Sequence, residues 1–213
     1  MVFTQEIESF MHDYDEICQS LEKQGWAISD TVVPLSWHVT LLTQAWSQWE
    51  AGQFYMEGVG HGARGLRRSD IRGDTICWIY PNSPQASHPF FKWMARFREE
   101  LNQRYQLGLR SQEFHFARYG KGQGYIKHID QHRDSDHRKI SIVLYLNLQW
   151  NPMYGGELCL YEPDNPNIEI RRVPPMGARL VVFHSGLIPH AVLPCQQTRW
   201  SLTGWLRSDE PAA

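Results

Sequence analysis

The sequence predicts a mainly β protein whose core is a jelly roll of about 100 residues, supported by N-terminal helices. Two patterns carry this prediction. Before residue 110, apolar residues recur at steps of three and four, as on one face of a helix. From Ser111 onward the chain consists of short β-rich runs separated by Gly, Pro, Asn and Asp, which is typical of a sandwich or barrel. With 42% hydrophobic and 21% charged residues among 213, the composition is that of an ordinary globular domain.

The first half of the chain predicts about three helices, each from one apolar face. In the first helix that face extends from Phe3 to Leu21, and Gly25 ends the helix. The second helix begins after Pro34 and ends before Gly52, and its apolar face is expected to be buried. That face consists of Leu35, Val39, Leu42, Trp46 and Trp49. The apolar face of the third helix consists of Phe90, Trp93, Met94, Phe97, Leu101 and Tyr105.

A polar loop and a short strand are expected between the second and third helices. The loop covers 61–74 and is rich in glycine and arginine, and the strand covers 75–80. A lid that gathers a protein substrate and a merely solvated loop are both consistent with this composition. The arginines of the loop are Arg64, Arg67, Arg68 and Arg72.

The jelly roll is expected to contain strands at 112–119, 139–147, 156–162, 168–173, 179–184, 189–193 and 199–207. The chain then forms one structural domain with three parts. Residues 1–110 provide helical support together with the loop and strand at 61–80, residues 111–207 form the β core, and residues 208–213 are a flexible tail.

Charge and composition argue against several classes of protein. The net charge of -2 disfavours binding to nucleic acid through bulk charge. No stretch approaches the roughly 18 apolar residues of a membrane span. The acidic, amphipathic start from Met1 to Glu16 is unlike a signal peptide. The four cysteines form no Cys-x-x-Cys pair, which favours a reducing cytoplasm.

Three residues of the β region form a candidate metal-ligand set. His128 and Asp130 stand in a His-x-Asp motif, and His190 follows a proline. Alternate residues of an extended strand share a face, so His128 and Asp130 can reach one ion. Two imidazoles and one carboxylate leave three coordination positions open, which suits non-heme Fe(II) in an oxygenase.

Four other histidines lie in the same part of the chain. His132 and His137, in the loop after the motif, compete for the ligand role but are expected to be solvated. His115 and His184 lie in predicted strands and are expected to be hydrogen-bonded residues of the core or rim.

Arg199 follows the last candidate ligand by nine residues and opens the last predicted strand. Along that strand Arg199, Ser201, Thr203 and Trp205 share one face. An inward arginine is costly unless it meets an anion, and its planar fork fits a carboxylate bidentately. We therefore expect a dicarboxylate co-substrate that is bound by Arg199 at one end and by the metal at the other. An internal salt bridge is the simpler alternative, and Tyr119 could add a phenolic hydrogen bond to the same ligand.

The order of His-x-Asp, Pro-His and then Arg resembles the Fe(II)- and 2-oxoglutarate-dependent oxygenases of the double-stranded β-helix fold. More narrowly, the chain resembles the bacterial type of the oxygen-sensing prolyl hydroxylases, the branch of the hypoxia-inducible factor enzymes. The resemblance covers roughly 69–207. The matching segments are Ser69–Ile79, Gly124–His128, Tyr145–Asn147, Gly155–Leu158 and Arg199–Trp205.

The resemblance implies roles for the residues at the bottom of the pocket. The three candidate ligands would hold iron, and Arg199 would bind the distal carboxylate of 2-oxoglutarate. Tyr119, which matches after a one-residue gap, and Thr203 would contact the same co-substrate. One departure is expected, because the oxygen-sensing enzymes of animals carry a co-substrate-binding tyrosine at the position of Leu144. The chain is therefore expected to lack that hydroxyl.

A second set of residues is implied to serve the prime substrate. The residues that would line its entrance are Arg72, Trp78, Tyr125 and Trp205. Asp74 resembles a family aspartate that pairs with an arginine, here Arg138, and so ties the loop to the core. Asp74 and Arg138 are therefore also expected at the entrance.

The implied activity is hydroxylation of a prolyl residue at C4 in a protein, with elongation factor Tu as the substrate suggested by bacterial relatives. Fe(II) would be the cofactor, 2-oxoglutarate and O2 the co-substrates, and ascorbate a supporting reductant. Three alternatives stay open at this point. The same chemistry could act on a free amino acid, a small metabolite or an alkylated base. The chain could instead be a non-catalytic sensor of iron and 2-oxoglutarate, or a zinc enzyme.

Overall fold

The structure is a computed structural model, and it describes residues 14–56, 71–131 and 135–210. Within these ranges, the α-helices are α1 (14–24), α2 (Leu35–Glu50) and α3 (Pro89–Tyr105). The first strands are β1 (Trp26–Ser29), β2 (Tyr55–Met56), β3 (Thr75–Ile79), β4 (Ser111–Tyr119) and β5 (Tyr125–His128). The later strands are β6 (Arg138–Tyr145), β7 (Leu158–Tyr161), β8 (Glu169–Val173), β9 (Leu180–His184), β10 (His190–Val192) and β11 (Arg199–Arg207). Short 3-10 turns cover Pro84–Ser87 and Pro152–Tyr154.

The strands form two antiparallel sheets. The larger sheet has the order β1-β9-β6-β11-β4-β3-β2, and the smaller sheet has the order β5-β10-β7-β8. At the centre of the larger sheet, β11 pairs with β4 on one side and with β6 on the other, and Arg199 lies opposite Tyr119. In the smaller sheet His190 lies directly opposite His128. The predicted mainly β jelly roll with supporting helices is therefore confirmed.

The predicted strands of the core are all present, with ends that differ by one or two residues from the expected bounds. Besides β5, which was expected only as the extended segment that carries His128 and Asp130, two strands were not predicted. β1 pairs with β9 and β2 pairs with β3, so they extend the larger sheet at its two edges. Strands of four and two residues are too short to show an alternating pattern, which explains why the sequence did not indicate them.

Side chains of the larger sheet alternate between two hydrophobic cores. On β6, Ile140, Ile142 and Leu144 pack into the core that the helices cover. Val143 and Tyr145, on the same strand, face the core between the two sheets. Because the period of a strand is two residues, the second set of positions faces the interior of the jelly roll. The candidate functional residues of β4, β6 and β11 belong to that interior face.

The buried face of α2 differs from the expected one. Among the expected core residues only Leu42 is buried, whereas Leu35 is 71% and Trp46 is 45% exposed. The residues that α2 buries are His38, Leu41, Leu42 and Ala45. The expected face was wrong because α2 carries large apolar residues on more than one side. The positions of Trp and Leu alone therefore do not show which side packs against the core. The predicted face of α3 is confirmed, since Phe90, Trp93, Met94, Phe97 and Leu101 are all buried.

Several expectations lie outside the described residues: the start of the first helix, the loop arginines Arg64, Arg67 and Arg68, and His132. At the C-terminal end, Ser208 N–H donates to the His137 carbonyl, and Asp209 accepts two hydrogen bonds from Arg207. These two residues of the expected tail are thus held against the core. In the described part of the chain, no helix combines the length and the apolar character that crossing a membrane requires.

Candidate metal centre and co-substrate pocket

His128, Asp130 and His190 converge on one point of the jelly-roll interior. One ligand atom from each lies within 4.8 Å of the others. Asp130 Oδ1 lies 3.4 Å from His128 Nε2 and 3.5 Å from His190 Nε2. Within the described ranges, this is the one group of three such side chains close enough to hold a metal ion. The side chains that the sequence selected are therefore brought together.

Backbone carbonyls fix the orientation of both imidazoles. His128 Nδ1 lies 2.8 Å from the Ile126 carbonyl oxygen, and His190 Nδ1 lies 3.0 Å from the Ile188 carbonyl oxygen. A carbonyl only accepts, so Nδ1 carries the proton in each ring and donates it. The lone pair is then on Nε2, which points at Asp130 and at the centre of the group. This is the tautomer that a metal-binding imidazole requires.

Asp130 reaches the group from a loop, not from a strand. β5 ends at His128, so the expected extended strand through Asp130 is wrong. Burial opposes ionisation of Asp130, but His190 and His128 outweigh it and hold the pKa of this carboxyl well below its usual range. Burial lowers the pKa of His128, whereas Asp130 raises the pKa of His190 against the effect of burial. An ionised carboxylate beside two imidazoles is a donor set for a divalent cation.

The aromatic ring of Tyr125 covers one side of the ligand group. It stacks on the His128 imidazole at a centroid distance of 3.7 Å and an interplanar angle of 21°. The guanidinium carbon of Arg72 lies 5.4 Å from the centre of the same ring. Tyr125 was expected to line the substrate entrance, and it lines the cavity as well as packing on a candidate ligand.

Arg199 lies deep in the same cavity and is only 1% exposed. Its Nε donates to the Gly156 carbonyl at 3.0 Å, and its Nη1 lies 3.4 Å from Ser201 Oγ. Among the described residues, no carboxylate pairs with this guanidinium, so this part of the chain does not form the internal salt bridge that was the simpler alternative. A buried cation without an anionic partner is costly, and an anionic ligand would remove that cost.

Two tyrosines flank the guanidinium of Arg199. Its carbon lies 4.9 Å from the centre of the Tyr119 ring and 5.0 Å from the centre of the Tyr145 ring. Burial raises the pKa of Tyr119 well above its usual range and also raises the pKa of Tyr145, so both phenols keep their protons. Thr203 lines the cavity nearby, with its Oγ1 3.4 Å from Ser201 Oγ.

The chain was expected to lack a second tyrosine hydroxyl in the co-substrate pocket, and this expectation is wrong. Leu144, where the sequence placed the departure, points into the helix-covered core. Tyr145, one residue later, faces the interior beside Arg199, and its hydroxyl is buried without a hydrogen-bond partner among the described residues. Only one of two neighbouring residues on β6 can face the pocket, and the structure shows that it is Tyr145.

The expected pair between Asp74 and Arg138 is also wrong. Asp74 accepts two hydrogen bonds from Arg72, from Nε at 2.7 Å and from Nη2 at 3.1 Å. Arg138 instead donates to Glu113 at 2.9 Å, and its guanidinium carbon lies 3.5 Å from the centre of the Trp205 ring. Asp74, Arg72 and Arg138 nevertheless all line the same cavity as the candidate ligands.

Two tryptophans and a histidine pack together at one wall of the cavity. Trp205 lines the cavity, whereas Trp78 packs behind it, 4.8 Å from the His115 ring and 6.3 Å from the Trp205 ring. His115 was expected to be hydrogen-bonded, but its Nδ1 is buried without a partner in the described part of the chain. Burial lowers the pKa of His115 well below its ordinary value, so the ring is neutral. His137, the rival in the motif loop, is solvated as expected, with 46% of its side chain exposed.

The cavity itself has a volume of about 160 Å³, and it joins the ligand group to the guanidinium. Its apolar lining includes Ala117, Val143, Leu158 and Val192. A ligand of this cavity therefore meets donor atoms for a metal, a fixed cation and hydrocarbon surface. The two lone-pair imidazoles and the ionised Asp130 fit a divalent cation such as Fe(II).

Comparison with known proteins agrees with this geometry. The family model of the 2OG-Fe(II) oxygenase superfamily matches residues 114–207. Human prolyl hydroxylase EGLN3 is 31% identical over 156 residues, which are 70% of this chain and 64% of that protein. The matched part thus spans less than two thirds of this relative.

Solved structures match over more of the chain. The crystal structure of a prolyl-4-hydroxylase from Pseudomonas putida is 36% identical in sequence and has a TM-score of 0.82. The match covers 91% of this chain and 98% of that chain. A prolyl hydroxylase from Trichoplax adhaerens, solved with a peptide fragment of the hypoxia-inducible factor oxygen degradation domain, is 27% identical. Its TM-score is 0.80, with coverage of 96% of this chain and 93% of that one. The chain therefore belongs to the 2OG-Fe(II) oxygenase superfamily.

Proposed function

We propose that this protein is a Fe(II)- and 2-oxoglutarate-dependent dioxygenase that hydroxylates C4 of a prolyl residue in a protein substrate. We base the proposal on one observation. The buried guanidinium of Arg199, which has no carboxylate partner among the described residues, shares a cavity with the donor atoms of His128, Asp130 and His190. An α-keto dicarboxylate matches both ends of that cavity, because it combines a metal-chelating end with a distal carboxylate.

The pocket residues have distinct tasks in this proposal. The Nε2 atoms of His128 and His190 and the Oδ1 atom of Asp130 would hold Fe(II), which supplies oxygen-activating redox chemistry when bound. Arg199 and the phenol of Tyr119 would bind the distal carboxylate of 2-oxoglutarate. The deep burial of Arg199 excludes water from that carboxylate and strengthens the pairing between guanidinium and carboxylate.

Tyr145 would add a second phenolic donor, since its buried hydroxyl has no partner among the described residues. The apolar side chains of Val143 and Leu158 would pack on the methylene groups of the co-substrate. Thr203 would complete the pocket wall. The overall reaction balances as prolyl C–H, O2 and 2-oxoglutarate giving hydroxyprolyl C–OH, succinate and CO2.

We propose that the prime substrate enters past the mouth of the cavity. The mouth carries the ion pair of Arg72 and Asp74, the ring of Tyr125, and Arg138 stacked on Trp205. Aromatic faces suit the ring of a proline, and the charged groups can hydrogen-bond a peptide backbone. Trp78 supports this wall from behind. The prolyl hydroxylases among the solved relatives, one of them bound to a peptide, support a peptide as the substrate class.

Elongation factor Tu is the protein that we propose to test first, as the resemblance to the bacterial branch implies. The four cysteines are buried free thiols, which suits the cytoplasmic location where a translation factor is found. Ascorbate is proposed as a supporting reductant that keeps iron in the ferrous state.

The test is a turnover assay with the purified chain, Fe(II), 2-oxoglutarate and ascorbate. Intact elongation factor Tu and peptides around each of its prolines serve as substrates, beside free proline, small metabolites and alkylated bases. We expect a peptide product heavier by one oxygen atom on a prolyl residue, formed together with one succinate. His128→Ala and Arg199→Ala should each abolish or greatly reduce turnover. Arg172→Ala, at an exposed arginine of β8, is the matched control.

Each alternative gives its own result in this assay. Turnover of a free amino acid, metabolite or base, without any of a peptide, would keep the enzyme class and exclude the prolyl substrate. Binding of Fe(II) and 2-oxoglutarate without turnover of any candidate would favour a sensor. A protein that takes up zinc but not iron under anaerobic loading would contradict the proposal as a whole.

A further inference from the structure

The two carboxylate oxygens of Asp130 have different surroundings. Oδ1 faces the candidate metal position, 3.4 Å and 3.5 Å from the two imidazole Nε2 atoms. Oδ2 accepts a hydrogen bond from Ser141 Oγ at 2.6 Å and another from Trp205 Nε1 at 2.9 Å. An oxygen that already accepts two short hydrogen bonds has little capacity left for a cation. Oδ1 is therefore available to a metal ion, whereas Oδ2 is engaged in hydrogen bonds.

The hydroxyl of Ser141 is itself held by a second buried hydroxyl. Ser141 Oγ lies 2.8 Å from Ser185 Oγ, and both serines are 0% exposed. A hydroxyl has one proton, and an ionised carboxylate can only accept. Ser141 must therefore donate to Asp130, and Ser185 must donate to Ser141. This direction makes a chain from Ser185 through Ser141 to Asp130, in which each bond polarises the next.

The same turn that provides Ser185 also holds the metal loop. The backbone N–H of Gln131 donates to the Ser185 carbonyl at 3.2 Å. The side chain of Gln131 lies so close to Gly186 that a Cβ there would be 2.3 Å from its Oε1. A side chain at position 186 would therefore displace the amide end of Gln131. Backbone and side-chain contacts from one turn thus fix the loop position and the rotation of Asp130.

The hydrophobic effect does not explain why these two buried positions carry serine. Ser141 lies between Ile140 and Ile142 on a central strand of the larger sheet. Burying a hydroxyl is unfavourable unless it is hydrogen-bonded, so a small apolar residue would serve packing alone. The hydrogen bonds that compensate the burial of Ser141 lead to one acceptor, the Oδ2 atom of Asp130.

We propose that Ser141 and Ser185 are positioning residues that, together with the indole of Trp205, hold Asp130 as a one-oxygen metal ligand. This inference rests on the metal site of the proposed function and adds how that site keeps its open positions. If Oδ2 also bound the ion, one of the three positions needed for co-substrate and O2 would be filled. Outer partners of metal ligands of this kind typically change metal affinity or activity by about 10- to 100-fold.

The test compares two variants of nearly equal shape at position 141. Ser141→Thr keeps a hydroxyl, whereas Ser141→Val replaces it by a methyl group, so both introduce the same extra bulk. Affinity for Mn(II) is measured from the electron paramagnetic resonance signal of the free ion, which needs no turnover. We expect Ser141→Val to lower Mn(II) affinity by about 10- to 100-fold. Ser141→Thr should stay within about threefold of the natural protein.

Two further variants separate positioning from folding. Ser111→Val removes a buried hydroxyl that donates to the Asp209 carbonyl and not to Asp130, Ser141 or Ser185, so it should leave Mn(II) affinity unchanged. Trp205→Phe removes the other donor to Oδ2 and should lower the affinity in the same direction as Ser141→Val. The melting temperature of each metal-free variant identifies any that fails to fold.

The outcomes distinguish this inference from the proposed function. Equal affinities of folded Ser141→Thr and Ser141→Val for Mn(II) would overturn the positioning role, while the metal site would stand. If Ser141→Val does not fold, an unchanged affinity in Trp205→Phe would overturn it instead. Failure of the natural protein to bind Mn(II) or Fe(II) would contradict the proposed function itself.

Discussion

Arg199 and Tyr119 are direct partners across the ladder between β11 and β4, with the guanidinium carbon 4.9 Å from the centre of the phenol ring. The pairing places a permanent cation beside a protonated phenol in the lining of the cavity. Both groups can donate hydrogen bonds, and among the described residues neither has a carboxylate partner. The proposed function assigns the distal carboxylate of 2-oxoglutarate to these two side chains, which leads to the first prediction.

Arg199→Lys should raise the KM for 2-oxoglutarate by about 10- to 100-fold, because lysine keeps the charge but loses the planar fork. Loss of one charge-assisted hydrogen bond costs about 1.5–3 kcal/mol. Steady-state kinetics with varied 2-oxoglutarate measure the effect. Arg172→Lys, at an exposed position of β8, is the control and should leave the KM as it is. An unchanged KM in Arg199→Lys would mean that the distal carboxylate binds elsewhere.

Tyr145→Phe should have opposite effects on stability and on co-substrate binding. The metal-free protein should become more stable, by about 1 kcal/mol, because a buried hydroxyl without a partner is removed. Affinity for 2-oxoglutarate should fall by about tenfold, which corresponds to about 1.4 kcal/mol. Urea unfolding and calorimetric titration measure the two quantities.

Tyr105→Phe is the matched control for this prediction. The Tyr105 hydroxyl donates to the Cys18 carbonyl outside the pocket, so its loss should reduce stability and leave 2-oxoglutarate binding unchanged. If Tyr145→Phe behaved in the same way as Tyr105→Phe, Tyr145 would have no part in the co-substrate site.

Gly156→Ala should destabilise the protein more than Gly52→Ala. Both glycines have a positive φ, +71° and +70°, so each alanine meets the same backbone strain of about 1 kcal/mol. A Cβ at Gly156 would also lie 3.0 Å from Cys195 Cβ and 3.3 Å from Arg199 Cδ, whereas Gly52 has nothing within 4 Å. Overpacking adds about 1–3 kcal/mol to the loss at Gly156. Urea denaturation of the two variants measures the difference, and equal losses would show that the pocket tolerates the methyl group.

His115 should make the protein less stable in mild acid. Its pKa in the folded state lies well below the ordinary 6.5, so below pH 6.5 the unfolded chain binds a proton that the folded chain does not. The stability that His115 contributes is complete above pH 6.5 and is lost as the pH falls towards the folded pKa.

His115→Met, of similar volume and without charge, should remove this dependence. Between about pH 6.5 and pH 5, the free energy of unfolding of the natural protein should fall more steeply than that of the variant. The difference in slope is at most about 1.4 kcal/mol per pH unit, the value for one proton. Urea unfolding of metal-free protein at several pH values measures it. Parallel curves for the two proteins would show that His115 does not resist protonation.

The candidate metal ligands and Arg199 could be selected from the sequence because spacing and residue type are local in the chain. His128 and Asp130 are two residues apart, and Arg199 follows His190 by nine residues on the next strand. The convergence of the two segments is a matter of sheet pairing, in which His190 lies opposite His128. Knowledge of the family pattern supplied that pairing, and composition alone did not.

The side-chain direction of Leu144 and Tyr145 could not be read from the sequence. β6 is buried on both faces, so its residues form a continuous apolar run without the alternation that marks one solvated face. The sequence likewise did not show which arginine pairs with Asp74, because Arg72 and Arg138 both line the same cavity. Only the coordinates show that Arg72, two residues away, forms the ion pair.

The most direct test is anaerobic calorimetric titration of 2-oxoglutarate into protein with and without Fe(II). A site that joins the metal donors to Arg199 predicts tight binding only when Fe(II) is present. It also predicts loss of that binding in both His190→Ala and Arg199→Ala, although these residues lie at opposite ends of the cavity. Binding of 2-oxoglutarate that is equally tight without metal, or that survives both substitutions, would contradict it.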